Sequence, residues 1–211
     1  MKRSLLLIIT IQLLMSCSRV QPNPTAYLKQ QLVSNNCSNS CWLGIEPGIP
    51  TDLDSIEKAL SQSYGIENVY TPPKPNQSIL WSVTDSTFPQ HGAVALNQNN
   101  QVANIQVFFD EKQITIGDFV SAIGEPDYVL LIGVNSSQGF QCNAIWGMLY
   151  LHTGLEVLTD QTIDSIENSQ FIGYIGIEQP SDIEEKHWWS DPSIYKVTEW
   201  HGYGNYCSTS E

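Results

Sequence analysis

The sequence is short of positive charge. Of its 211 residues nine are Lys or Arg against 22 Asp and Glu, a formal net charge of −13, and the arginines are Arg3 and Arg19 alone. That balance argues against nucleic acid and against charge-driven adhesion to anionic lipid, because both need cations to neutralise phosphate. Catalytic signatures are equally scarce: no G-x-S-x-G elbow, Walker loop or G-x-G-x-x-G run appears, and "GYGNY" at 202–206 follows no βα crossover. His91, His152, His187 and His201 are scattered, with no H-E-x-x-H and no His/Cys cluster at zinc spacing. The densest set of candidate ligands is Glu184, Glu185, His187 and Asp191, for which a solvated acidic turn is the plainer reading. Paired carboxylates of a glycosidase can meet from anywhere in a chain, and nothing here selects two of them. The expectation is a non-enzymatic protein without a cofactor.

Long apolar runs are also missing. The longest, Leu5 to Met15, spans 11 residues, against the roughly 20 a membrane-spanning helix requires. It comes after Lys2 and Arg3 and contains no acid, which is the layout of an export signal over residues 1–16. "LLMSC" resembles a bacterial lipobox, with Leu14, Ser16 and Cys17 in the matching places and Met15 where a small residue is more usual. The resemblance implies lipidation of Cys17 and a membrane anchor; an ordinary signal peptide cut near "MSCS" is the rival. Without Lys2 and Arg3 the mature chain holds seven basic residues against 22 acidic ones, a net charge near −15. Residues 17–35 are polar, contain two prolines and lack sustained periodicity, so they are expected to be a flexible tether, with the folded part starting near Asn36.

The chain beyond the tether is patterned. Thr51, placed to cap a helix by accepting from its first free N–H groups, precedes Leu53, Ile56, Ala59 and Leu60 at helical spacing, with Gly65 as terminator. "SILWSV" reads as a strand, and "GAVALNQNNQVANIQVFF" as a hairpin turning at Asn97–Asn100, with Val94 and Leu96 facing Val102, Ile105 and Val107. The order then recurs: Ile114, Ile116, Phe119, Val120 and Ile123 at helical spacing, a stop at Gly124 and Pro126, the strand "YVLLIGV", a polar loop, a hairpin turning at Thr153–Gly154, and the strand "FIGYIGIE". Two α+β units of helix plus antiparallel meander are expected, over 36–110 and 111–211. A single α+β domain whose helices merely look alike is the alternative.

The helix closed by Gly-x-Pro and succeeded by a meander resembles small bacterial lipoproteins of the BamE (SmpA/OmlA) type, and tandem copies resemble the β-lactamase inhibitor protein fold. "CWLGIEPG" with "ITIGDFVSAIGEPDYV" is similar to a set of exported bacterial lipoproteins with a Cys-Trp-x-Gly-Ile-x-Pro-Gly opening. The likeness covers roughly residues 37–177. It implies a fold and an envelope location, with an adaptor-like role, and no functional position carries over residue by residue.

Export implies an oxidising compartment, so Cys37, Cys41, Cys142 and Cys207 are expected in disulfides, in one of three pairings. A local Cys37–Cys41 bridge would leave Cys142 to Cys207, worth about 2 and about 4 kcal/mol respectively by loop entropy. The tail "EEKHWWSDPSIYKVTEWHGYGNYC" concentrates Trp188, Trp189, Tyr195, Trp200, Tyr203 and Tyr206. Exposed, Trp188, Trp189, Trp200 and Tyr203 would offer a ligand or partner surface; packed inward, the rings would cap the sheet. The function expected is a lipid-anchored, extracytoplasmic interaction or envelope-assembly module whose partner is another envelope protein, with a carbohydrate or cell-wall binder using the aromatic tail as alternative.

Overall fold

The computed structural model describes residues 23–33, 37–63, 66, 68–72, 77–83, 88, 90–110, 112–137, 139–185 and 194–207. Residues 1–16, expected as an export signal, and Cys17, His187, Trp188, Trp189 and Asp191 lie outside the described residues, as does Gly65.

Within residues 17–35, expected to be a flexible tether, residues 23–33 are described and hold a helix. Pro24–Leu32 forms a helix, α1, capped by Asn23, whose side chain accepts from the N–H groups of Thr25 and Ala26, with Pro24 set for the first turn. Leu28 and Leu32, one turn apart, are fully buried. The folded part therefore includes residues 23–33, ahead of the start expected near Asn36. A second helix, α2 (Leu53–Gln62), buries Ile56 and Leu60; its cap is Asp52, which accepts from Ser55 N–H at 2.7 Å, and not Thr51. The Asp52 carboxylate reaches the free amide that the threonine was expected to meet. A third, α3 (Ile116–Ile123), begins after Thr115, where Thr115 and Asp118 cap each other reciprocally, and ends as expected at Gly124. Helix α1 packs on α3.

Among the described residues nine antiparallel strands form one sheet: β1 (Asn68–Tyr70), β2 (Ser78–Val83), β3 (Gln90–Leu96), β4 (Val102–Phe109), β5 (Tyr128–Ser136), β6 (Gly139–Tyr150), β7 (Leu155–Ile163), β8 (Ile172–Glu178) and β9 (Tyr195–Glu199). Their order is β1-β2-β3-β4-β8-β7-β6-β5-β9. The boundary expected at 110/111 is bridged by the pairing of β4 with β8, so the core is continuous across it. The β3–β4 turn falls at Asn97–Asn100, where the Asn97 side chain accepts from Asn99 and Gln101 N–H. The β6–β7 turn closes at Gly154, whose φ of 72° is one that side-chain-bearing residues avoid. The polar loop expected after "YVLLIGV" is instead the outer part of the long β5–β6 hairpin, with Asn135, Ser136 and Gln141 lying within paired strands. A short helix, α4 (Pro180–Glu184), comes after β8, and the tail contributes β9 as an edge strand on β5.

Strand alternation divides the sheet into two faces. Ile79, Trp81, Val94, Ile105, Val107, Met148, Val157, Ile175 and Ile177 point to one face, where they form a single core with the buried residues of α1, α2 and α3. Val94 opposes Ile105 and Leu96 opposes Val102, the pairing expected from the sequence. Trp42, beside the first disulfide, is fully buried in that core.

Candidate interaction face

The other face of the sheet is where function is best sought, because its side chains are not consumed by the main core. Cross-strand partners share a face. One row across the sheet runs through Leu80, Ala93, Gln106, Gly176, Glu156, Leu149, Tyr128 and Glu199. The next runs through Ser82, His91, Phe108, Tyr174, Leu158, Gly147, Leu130 and Val197. At the β5–β7 end the face is closed: Leu130 and Leu149, together with Ile183 of α4, are fully buried outside the main core cluster. Helix α4 packs against β7.

At the β2–β3–β4–β8 end the face is open. His91, Phe108 and Tyr174 form an aromatic ladder with ring centroids 5.1 and 5.0 Å apart. Phe108 and Tyr174 are half-buried, and Leu80 is 43% exposed. Beside the ladder, Ala93, Ala95 and Gly176 keep the surface low. Tyr174 leans along its own strand, its hydroxyl 2.7 Å from where a Cβ at Gly176 would stand, so any larger residue there would displace the ring. The ladder ends in a polar clamp, His91 Nδ1 to Asp110 Oδ1 at 2.6 Å, both exposed.

Carboxylates flank the rings. Burial, with the nearby charges of Glu156 and Glu178, pushes the Tyr174 phenol well above its ordinary range, against a smaller opposing effect of the Gln106 side chain. Tyr174 is therefore a neutral hydroxyl at any physiological pH, an uncharged ring edge between two acids. A second ring pair, Trp146 and Tyr195, stacks at 5.6 Å with an interplanar angle of 11°.

The tail expected to be a binding surface is divided. Trp200 packs on the core and stacks with Tyr206, which is buried; the Tyr206 hydroxyl donates to Gly202 O at 2.6 Å and accepts from His201 N–H. Tyr203 is 47% exposed, meets Trp200 edge-on and borders a shallow cleft with Ser165, Ile166, Glu167, Asn168 and Gly204. The tail is held down by the Cys142–Cys207 disulfide and by the Ile166–Gly204 bridge. Cys37 and Cys41 form the local disulfide, and Glu46 ties that loop by accepting from Ser38 and Asn39 N–H at 2.9 to 3.1 Å. Of the acidic-turn residues, Glu184 closes α4 and Glu185 caps it, both exposed. Among the described residues no group of three or more His, Cys, Asp or Glu side chains is placed to hold a metal ion.

Phe108, Asp110, Glu156, Tyr174 and Glu178 were not singled out by the sequence, and His91 was noted only as one of four scattered histidines. The available signal was strand phase: once the apolar phase of each strand is assigned to the core, the opposite phase, His91/Ala93/Ala95 and Asn104/Gln106/Phe108, carries whatever the sheet displays. No helix among the described residues is long and apolar enough to cross a membrane. No family model, no curated protein and no solved structure matches this chain.

Proposed function

We propose that this protein is a non-enzymatic interaction module of the bacterial envelope, exported and lipid-anchored through Cys17, that grips another envelope protein with the open end of its sheet. The observation that carries the reading is the half-exposed His91–Phe108–Tyr174 ladder on the face opposite the three core helices. Rigid rings on paired strands bring large contact area at small entropic cost. The strand order supports the finer reading of two helix-plus-meander units: β1 to β4 and β5 to β8 each come after a helix and meet last strand to last strand. That arrangement accords with the resemblance to BamE-type lipoproteins and to the β-lactamase inhibitor fold.

A pull-down from membranes with wild type and with Phe108→Ala/Tyr174→Ala tests the binding face. One reproducible partner lost in the double variant supports it; capture that is indifferent to the change refutes it. Equal palmitate labelling of wild type and Cys17→Ala would remove the anchor. A glycan-binding reading is favoured by a different observation, Tyr203 beside the polar cleft of Ser165, Glu167 and Asn168. It predicts that soluble glycans quench the neighbouring Trp200 and that Tyr203→Ala abolishes the quenching.

A further inference from the structure

The cleft beside Tyr203 points to one class of sugar, an inference that rests on the glycan-binding reading of that cleft. Its volume is about 450 Å³, within the size range of small-ligand clefts. The backbone of its rim is satisfied from within: Gln170 donates to Ser165 O and accepts from Glu167 N–H, and Gly117 N–H donates to Asn168 O. The side chains of Ser165, Glu167 and Asn168 are thereby left to face the cleft's contents, beside the half-exposed ring of Tyr203.

Tyr203 also covers two unmet donors. Among the described residues the Tyr150 hydroxyl and the Trp200 indole N–H are buried without a protein hydrogen-bond partner. Trp200 meets Tyr203 edge-on at 5.6 Å. The Tyr150 phenol is pushed up by burial and next by the Tyr203 phenol, ahead of Asp127 and Glu125, so the two hydroxyls are neighbours. The Asp127 carboxylate accepts from Leu151 N–H at 2.7 Å and makes no bond to Tyr150. A buried donor left unmet weakens a fold, and a ligand that supplies the acceptor removes that cost. Tyr203 stands between Gly202 and Gly204, at φ of 100° and 149°, so no side chain on its own segment hems the ring in, and it can turn aside from the donors.

Two donors without an acceptor select a ligand that accepts. Glu125, Asp127 and Glu167 stand around the same place and would repel a carboxylate or phosphate, so the acceptor must be neutral. An acetamido group supplies a neutral carbonyl beside an apolar methyl, and the C–H face of a pyranose suits an aromatic ring. We propose that the cleft binds a neutral N-acetylated sugar, its ring laid on Tyr203, its acetamido carbonyl accepting from Tyr150 and Trp200, and its hydroxyls shared among Ser165, Glu167 and Asn168.

The test uses the full chain, 15N-labelled in non-ionic detergent, titrated with a trimer of N-acetylglucosamine, with its de-acetylated cationic form, and with a glucose trimer that lacks the acetamido group. The acetylated trimer is expected to shift the amides of Ile166, Asn168 and Gly204 together with the Trp200 indole N–H, and Tyr203→Ala should abolish those shifts. Tyr150→Phe should weaken the acetylated trimer about fivefold, the worth of one hydrogen bond, while melting no lower than wild type because it deletes an unmet donor. A Trp200 indole N–H that stays in place in the wild type while the acetylated trimer saturates the cleft would overturn the inference, and that reading needs no variant. So would a glucose trimer that binds as tightly at the same amides, or a de-acetylated trimer that binds more tightly; the cleft would then hold glycans, but the acetamido group would not choose them. If no sugar moves Ile166, Asn168 or Gly204, the glycan-binding reading and this inference fall together.

Discussion

Truncating Leu28 and Leu32 to alanine tests the incorporation of α1 into the domain. Both side chains are essentially inaccessible to water, and their helix lies on α3, whose Ile116 and Phe119 are likewise fully buried. A buried Leu→Ala change costs about 2–5 kcal/mol, from lost transfer free energy and the cavity left behind. A nine-residue helix is marginal in water, so α1 has little stability apart from this docking. Loss of both leucines should therefore undock the helix and remove about 5 kcal/mol or more, against a total of about 5–15 for a domain. With a urea slope near 2 kcal/mol/M, each single variant should lower the unfolding midpoint by about 1.5 M. Urea melts monitored by tryptophan fluorescence would read this, since Trp42 and Trp81 are buried in the same core. Gln30→Ala, on the exposed side of the helix, is the control and should stay within about 0.5 kcal/mol. If Leu28→Ala and Leu32→Ala moved the midpoint no further than Gln30→Ala, α1 would be part of the tether after all and the sealing of the core by it would be wrong.

Removing the Cys142–Cys207 bridge, which spans 65 residues, should lower stability by about 4 kcal/mol, and removing Cys37–Cys41, which spans four, by about 2. Peptide mapping without reduction checks the pairing, and equal losses of melting temperature would contradict the loop-entropy reasoning. Glu46→Ala leaves the amides of Ser38 and Asn39 without their carboxylate and should cost about 2 kcal/mol, read as a lower melting temperature and faster proteolysis within residues 37–41. Tyr27 is pushed up from 10.0 to about 12, chiefly by burial, with its hydrogen bond from Gln90 opposing. The folded state thus holds that proton more tightly than the unfolded state, so its contribution is complete below pH 10 and disappears as pH rises toward 12. Tyr150 and Tyr174 are raised in the same direction, so tyrosinate absorbance should show these phenols ionising only together with alkaline unfolding. Early, reversible ionisation of all tyrosines with the fold intact would count against their burial.

Much of the local structure was legible because its signals are local. The helix stop at Gly124, the turn at Asn97–Asn100 and the alternation of Val94, Val102, Ile105 and Val107 each depend on neighbours within a few residues, and each appears where expected. Export chemistry, read from the N-terminal residues, led to paired cysteines, and the local and long bridges are the pair that form. Helix α1 was hidden because Leu28 and Leu32 are its two deeply buried residues in an otherwise polar stretch; the pattern is too sparse to see without α3 beneath it. The tail was ambiguous for the same kind of reason, since a ring has no local mark that says core or surface. Cys207 and the Ile166–Gly204 bridge press Trp200 and Tyr206 inward and leave Tyr203 outside.

By itself the sequence determined the charge, the elements with strong periodicity, the turns and the cysteines available to pair. Only the tertiary structure decided that β4 meets β8, merging two meanders into one sheet, and that His91, Phe108 and Tyr174 stand in one row. His91 and Tyr174 are 83 positions apart, and pairing at that distance is chosen by which apolar faces can be buried together, a property of the whole chain and of no segment in it.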